Sequence, residues 1–375
     1  MHRSGQLHYW LTVAVAALLI PACLISHLRI GVPAGLGLFL LGWVVQSIVW
    51  AAMLYQLAIP GSWEPVRHNR WRVVPALFMT GILVFVFGLK AGVLVAIAGL
   101  AGLEFYYRKG NWSAIAGALL PWAYLAFGIQ LALYLSSVIV SLRPCTLYDT
   151  TFDRFDALLL FGHTVPSLSR AVTPLYVPAE IVYYSIGGVM GAAILFLCLS
   201  GDRPAAFQMC GAIVTAYYIS LVVFLILPAQ GPFTAAGLPP QLFTARVQRA
   251  SLANALALYH HAGWMTPPMG YYVAFPSLHM AQPLIAAWFL RKWDRVSIIV
   301  FGYCILLAPA IVILQWHYVV DIIGGLAVAA LAVWLVARAP VMAADRALPK
   351  AGEAGDVIAQ EKWKPWGTLV GSPKP

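Results

Sequence analysis

The sequence predicts an all-α membrane protein, a polytopic helix bundle of about ten spans. Of its 375 residues, 62% are hydrophobic and only 10% are charged, and the mean hydropathy is +0.83. Soluble globular proteins carry about 25% charged residues, so this composition is typical of a membrane protein. The apolar residues form long continuous runs, whereas the strands of a membrane barrel are about ten residues of alternating character.

Ten apolar segments are candidates for spans of about 20 residues each. In chain order they lie near 9–27, 34–58, 73–88, 91–106, 112–141, 182–200, 209–228, 275–290, 296–315 and 318–338. The first resembles a signal peptide, but its length and the position of Pro21 favour an uncleaved helix. The third and fourth are short, and one kinked segment is an alternative for that pair.

The distribution of basic residues favours one orientation. With the amino terminus inside, 16 of the 23 Lys and Arg residues fall on inner loops and the tail. Because basic residues in short loops stay on the cytoplasmic side, the net charge of +10 requires no nucleic-acid partner. This orientation predicts a plasma (inner) membrane protein whose site faces the periplasm or exterior, or the Golgi lumen in a eukaryote.

Three regions are predicted along the chain. Residues 1–111 would form accessory N-terminal transmembrane helices, 112–338 a six-span core, and 339–375 a disordered cytoplasmic tail rich in small and charged residues. The two outer loops, 142–181 and 229–274, are long enough that a role in shaping the substrate site is expected. A short apolar piece in the first loop, residues 157–161, predicts a re-entrant or interfacial helix.

His317 and Asp321 are spaced i, i+4, so on a helix they lie on one face and can touch. A carboxylate bonded to one ring nitrogen fixes the tautomer and leaves the other nitrogen free to attack. Ionisable residues near the hydrocarbon usually serve a site or pathway. The alternative for this pair alone is a histidine at a helix end that is bonded to a convenient acid.

His279 lies one turn inside a predicted helix whose start is marked by Pro276, as the first helical residue, and by Ser277. A helix amino terminus binds phosphate oxygens, and a histidine there can protonate a leaving oxygen. Two spans and a basic turn, 291–295, separate His279 from His317. The chain therefore returns to the face it left, and both histidines are predicted at the outer surface.

The stretches Phe275-Pro-Ser-Leu-His279 and His317-Tyr-Val-Val-Asp321-Ile-Ile-Gly-Gly resemble the second and third signature motifs of the type 2 phosphatidic acid phosphatase superfamily. The wording is most similar to the branch that contains fungal inositol phosphorylceramide synthases, and the resemblance covers about 112–338. It implies that His317 is the nucleophile, that Asp321 orients it and that His279 protonates the departing oxygen. It also implies that no metal and no cofactor are required, since such phosphoryl transfer depends on positioning and charge stabilisation.

The sequence departs from the phosphatases of this superfamily where they bind phosphate. Their Ser-Arg pair before the nucleophile is replaced by Ala310 and Ile311, and their basic first motif by the stretch 228–232. The residues predicted to bind substrate or phosphate are Ser277, Gln230 and Arg143, with Arg246 and Arg249 as further candidates. Six tyrosines could donate to a headgroup but are better explained as interfacial belt aromatics: Tyr183, Tyr184, Tyr217, Tyr218, Tyr271 and Tyr272.

The predicted function is a membrane lipid phosphotransferase that moves a phosphoryl-linked headgroup, such as phosphoinositol, through a phosphohistidine. Its partners would be membrane lipids (a phospholipid, sphingolipid or polyprenyl phosphate) and an alcohol acceptor. The main alternative is a lipid or polyprenyl phosphate phosphatase, because only the acceptor, water or alcohol, differs. A further alternative is a non-enzymatic transporter with a histidine proton relay, which predicts discontinuous helices and paired repeats.

Overall fold

The computed structural model describes residues 112–142, 147–259 and 274–337, together with two short strands at 29–30 and 264–265. The first four predicted spans and the predicted tail therefore lie outside the described residues.

The described part of the chain is helical except for a two-residue parallel pairing between β1 (Arg29–Ile30) and β2 (Trp264–Met265). The helices are α1 (Trp112–Leu142), α2 (Asp149–Leu159), α3 (Val165–Ala171), α4 (Tyr176–Tyr184), α5 (Ile186–Leu199), α6 (Arg203–Ile226), α7 (Phe233–Ala236), α8 (Phe243–Tyr259), α9 (Leu278–Phe289), α10 (Asp294–Ile313) and α11 (Val319–Ala337). A 3₁₀ turn, Thr173–Leu175, precedes α4. This architecture confirms the prediction of an all-α fold.

Five stretches of the described residues are long and apolar enough to cross a membrane, which makes the chain an integral membrane protein. They are Leu120–Ile139, Thr173–Cys198, Arg203–Ile226, Asp294–Ile313 and Val319–Ala337. The second combines the 3₁₀ turn with α4 and α5, so it begins before the predicted segment at 182–200.

The predicted span at 275–290 is shorter in the structure than in the sequence analysis. Helix α9 has 12 residues, and Ser277 is its N-cap. Pro276 precedes that cap, so its predicted place as the first helical residue is wrong. Residues 274–276 are apolar but not helical, and hydropathy alone cannot separate such a segment from the helix that follows it.

Helix α6 packs against α1, α5, α9 and α11. Its middle part, from Met209 to Ala216, is buried among these neighbours. Small residues allow the close approach: a Cβ atom on Gly128 of α1 would lie 2.5 Å from a methyl group of Val214. Helix association in lipid depends on such van der Waals contact rather than on the exclusion of water.

The connecting segments meet at two ends of this bundle. At one end, the Lys292 ammonium pairs with the Asp202 carboxylate, which also caps α6 by accepting from the backbone N–H of Ala205. At the other end, the N–H of Ala274 donates to the carbonyl of Ala229 at 3.0 Å. The basic turn and the histidine motifs therefore lie at opposite ends of the described helices.

The two long loops contain helices of their own. The apolar piece predicted at 157–161 belongs to the end of α2 and the turn after it, and Leu158 and Phe161 are among its exposed side chains. These exposed apolar side chains are compatible with an interfacial helix, which stays a prediction. The second loop holds α7 and α8 rather than irregular chain alone.

Candidate active site

His317 lies on the short segment that joins α10 to α11. The chain reverses at Gln315, whose φ of 56° is rare for a residue other than glycine. The side chains of Ser169 and Gln248 donate to the two backbone carbonyls that directly precede Gln315, each at 2.7 Å. The N–H of Phe233 donates to the carbonyl of Gln315 itself at 3.0 Å. Carbonyls that a helix end leaves unpaired are thus satisfied, and the segment is fixed.

The two histidines form a direct hydrogen bond, with His279 Nδ1 3.0 Å from His317 Nε2. His317 Nδ1 lies 2.8 Å from the carbonyl oxygen of Ala274 and 3.3 Å from Asp321 Oδ2. A carbonyl oxygen only accepts, so His317 Nδ1 carries a hydrogen and the neutral ring has its lone pair on Nε2. His279 Nδ1 must then be the donor to that lone pair.

Burial sets the charge of His317. The residue is 4% exposed, and desolvation lowers its pKa to about 4 while the hydrogen bond to Ala274 opposes the shift. The ring is therefore neutral at neutral pH. A neutral imidazole with its Nδ1 hydrogen engaged presents Nε2 as a nucleophile.

Asp321 is fixed by the first turn of α11. Its Oδ2 accepts from the N–H of Tyr318 at 2.8 Å as well as facing His317, a back-bond typical of a carboxylate in the first turn of a helix. The N–H of Ser277 donates to the Asp321 carbonyl at 3.0 Å. This bond joins the segment before His279 directly to the helix after His317.

Two glycines explain how closely these segments approach. A Cβ atom on Gly324 would lie 2.7 Å from the ring of Phe275, and one on Gly325 would overlap the carbonyl oxygen of Ser277. This glycine pair closes the motif that begins at His317. Its role is steric: it lets α11 lie against the segment that starts α9.

The residues predicted to bind phosphate have different surroundings. Ser277 is buried, and its Oγ accepts from the N–H of Met280 at 3.4 Å, which is the capping role expected of it. The N–H of Gln230 donates to the Asp149 carboxylate at 3.1 Å. Arg143 lies outside the described residues. Phosphate binding by any of the three stays a prediction.

The basic candidates on α8 have partners other than the histidines. Arg246 lies over the ring of Phe243, and Arg249 donates to the carbonyl of Pro240. Among the described residues, no lysine or arginine hydrogen-bonds to His279 or His317. In the same part of the chain, no three His, Cys, Asp or Glu side chains are grouped as a metal site would need.

Aromatic rings enclose His279 on one side. The Tyr183 ring lies 4.7 Å from the His279 ring and stacks on Trp316 at 5.8 Å. Tyr183 is buried, so its interpretation as a belt aromatic at the lipid surface is wrong. Packed rings of this kind restrict the rotation of the imidazole and leave it facing His317.

Two acids on α2 contact the site segment, and neither was among the predicted site residues. The Asp149 carboxylate accepts from the N–H of Gly231 at 2.8 Å and from the Tyr318 hydroxyl at 3.0 Å. The Asp156 carboxylate accepts from the first two N–H groups of α11, at 2.7 and 3.0 Å. Their spacing of seven residues on one helix face was the available signal.

Comparisons with known proteins agree with the motifs. The family model described as the PAP2 superfamily matches residues 150–335. The chain is 26% identical over 187 residues to the inositol phosphorylceramide synthase catalytic subunit aur1 of Schizosaccharomyces pombe, a match that covers 46% of this chain. It covers 43% of that relative, so the chain spans less than half of the relative's length. No solved structure matches the chain.

Proposed function

We propose that this membrane enzyme is a lipid phosphotransferase. Residues 150–335 belong to the PAP2 superfamily, and the chain carries the type 2 phosphatidic acid phosphatase motifs of that superfamily. The proposed enzyme moves a phosphoryl-linked headgroup from a lipid donor to an alcohol through a phosphohistidine at His317. The observation that carries the proposal is the hydrogen bond between His279 and His317, with Nδ1 of His317 held by Ala274 and Asp321.

In the first half of the reaction, the Nε2 lone pair of His317 attacks the phosphorus of the donor. A P–N bond forms and the P–O bond to the departing alcohol breaks. His279, as an imidazolium that has gained a proton beside the anionic donor phosphate, gives that proton to the departing oxygen and becomes neutral. The carboxylate of Asp321 stabilises the positive charge that the His317 ring gains. The two ring nitrogens are hydrogen-bonded to each other and are too close to hold phosphorus between them. The donor phosphate must therefore separate the two rings as it enters between them.

In the second half, the acceptor hydroxyl gives its proton to His279 and its oxygen attacks the phosphorus. The P–N bond breaks, and His317 returns to the neutral form that its buried position favours. Water in place of the alcohol would give hydrolysis. The chemistry needs positioned groups and charge stabilisation, and we propose that it proceeds without a metal ion.

Two observations favour a transferase over a phosphatase. Ala310 and Ile311, at the positions of the phosphatase Ser-Arg pair, are buried apolar residues of α10. The name of the relative, inositol phosphorylceramide synthase, describes a transfer reaction and points to phosphoinositol as a headgroup for this chain. The basic residues of the loops favour a site that faces the periplasm or exterior, or the lumen in a eukaryote.

The test uses the purified full chain in detergent with labelled phosphatidylinositol and a panel of other lipid phosphodiesters and monoesters, each with and without ceramide or a polyol. Acid-labile label on the protein is measured, as is its passage to the alcohol or to water. His317→Ala should abolish both labelling and turnover. The matched control is His163→Ala, because His163 is exposed on the turn between α2 and α3.

The outcomes separate the alternatives. Label that passes to an alcohol supports the transferase, and label released only as free phosphate or headgroup phosphate replaces it with the phosphatase. If His317→Ala retains turnover, the phosphohistidine mechanism is wrong. Absence of labelling and turnover with the whole panel would favour the transporter alternative.

A further inference from the structure

We infer that Asp156 is a positioning residue for the transfer reaction: from a separate helix, its carboxylate holds the start of the helix that follows His317. The inference rests on the proposed function of His317 as the nucleophile. Asp156 belongs to neither of the two histidine motifs, and its carboxylate hydrogen-bonds to backbone N–H groups of α11 rather than to a histidine.

The geometry is that of a helix cap supplied from elsewhere in the chain. Asp156 Oδ2 accepts from the N–H of Val319 at 2.7 Å, and Oδ1 accepts from the N–H of Val320 at 3.0 Å. These are the first two residues of α11, whose N–H groups have no partner within the helix. A carboxylate at this position also interacts favourably with the helix dipole.

The position of the cap explains why it matters for His317. Only Tyr318 separates His317 from the two capped residues, and the Tyr318 hydroxyl donates to Asp149 at 3.0 Å. Asp149 and Asp156 lie two turns apart on one face of α2. The segment after the nucleophile is therefore held by two carboxylates of one helix, and movement of that helix would move His317 relative to His279.

The burial of Asp156 makes the cap depend on its charge. The side chain is 0% exposed, and desolvation raises its pKa to about 6 against the opposing effect of the two N–H groups. Asp321 on α11 and Asp153 on α2 face it and raise the pKa further. Each oxygen accepts one N–H, which only the ionised carboxylate can do fully, so the cap weakens as the pH falls through about 6.

The experiment compares wild-type protein, Asp156→Asn and the control Asp153→Asn at pH 7.5 and pH 5. Asparagine keeps one acceptor oxygen but places an N–H₂ group against the other backbone N–H. A protonated aspartate likewise keeps one carbonyl oxygen and places an O–H group there. Transfer from labelled phosphatidylinositol gives kcat and KM. Carbethoxylation of His317 by diethyl pyrocarbonate, followed by mass spectrometry, reports the exposure and orientation of the ring without any lipid.

At pH 7.5 we expect Asp156→Asn to lower kcat by about tenfold or more with KM changed less than about twofold, because a small displacement of the nucleophile slows the chemical step. At pH 5, one unit below the pKa of Asp156, the kcat of the wild type should exceed that of the variant by about twofold or less. Asp153→Asn should follow the wild type at pH 7.5, and at pH 5 its kcat should be at least that of the wild type, because loss of the Asp153 charge lowers the pKa of Asp156. The rates of His317 carbethoxylation in Asp156→Asn and wild type should differ at pH 7.5, and most of that difference should disappear at pH 5.

Two results would overturn the inference: equal kcat at both pH values, or a loss of the same factor at both, which a merely destabilised protein would show. Failure of the proposed function is distinguishable, because the wild type would then show no transfer from phosphatidylinositol. In that case the carbethoxylation rates alone decide, and equal rates for the wild type and Asp156→Asn at pH 7.5 would contradict the positioning role.

Discussion

Replacement of Gly231 by alanine should damage the site through a contact with the backbone beside the nucleophile. Gly231 has a φ of +114°, and a Cβ atom there would lie 2.8 Å from the carbonyl oxygen of Trp316, the residue before His317. Its N–H also donates to Asp149 at 2.8 Å, so the glycine cannot move away freely. The strain and the contact therefore act together at this position.

The expected size of the effect follows from these numbers. A left-handed backbone conformation costs an alanine about 1–2 kcal/mol. Ordinary contact begins at 3.4 Å, so the Trp316 carbonyl must move by about 0.6 Å, and overpacking of this kind costs about 1–3 kcal/mol. Since a misplacement of about 1 Å can cost about 100-fold in rate, we expect kcat for Gly231→Ala to fall about tenfold.

The assay measures thermal unfolding in detergent and headgroup transfer for Gly231→Ala and for the matched control Gly162→Ala. Gly162 has a φ of +90°, but a Cβ atom there meets nothing within 4 Å. The control should show the loss of stability from strain, about 1–2 kcal/mol, with an unchanged rate. If Gly231→Ala retains the wild-type rate, or if both variants lose rate equally, the reasoning from the Trp316 contact is refuted.

Three further predictions concern stability. Because the pKa of His317 is lowered to about 4 from 6.5, the unfolded chain binds a proton before the folded one as the pH falls. The free energy of unfolding of the wild type should therefore drop between about pH 6.5 and 4, relative to that of His317→Gln, in denaturant titrations. Lys292→Ala should lower the free energy of unfolding by less than about 1 kcal/mol because the ammonium is mostly exposed. Asp202→Ala should lower it by about 1 kcal/mol because the cap of α6 is lost. Equal melting temperatures for both variants would contradict this difference. Ser169→Ala leaves the Ile313 carbonyl without its donor and should cost about 1–3 kcal/mol, which thermal unfolding can measure.

The helical architecture and the meeting of the two motifs were accessible from the sequence. Long apolar runs report directly on membrane helices, because the bilayer fixes their length. The i, i+4 spacing of His317 and Asp321 placed both on one face of a turn. The two runs between His279 and His317 returned the chain to the same end. Each of these inferences needs only local periodicity and length.

The supporting contacts were not accessible in the same way. Asp156 binds N–H groups 163 and 164 positions later in the chain, and a single sequence carries no record of such a pairing. Tyr183 was interpreted as a lipid-facing ring because composition does not say which face of a helix is buried. The start of α9 was misplaced because Phe275 and Pro276 are apolar, although they precede the helix.

The shortness of α9 has a consequence for the lipid that reacts. Twelve residues rise about 18 Å, whereas the hydrocarbon layer is about 30 Å thick. His279 is the second residue of that helix, and the basic turn lies at its other end. Helix α10 starts from the same basic turn and rises about 30 Å before it ends at Ile313, four residues before His317, so α9 alone does not set the depth of the site. The segments on either side of α9, residues 274–277 and 290–293, therefore make up the length that the helix lacks, and insertions or deletions in them should change the depth at which the phosphate of the proposed donor reacts.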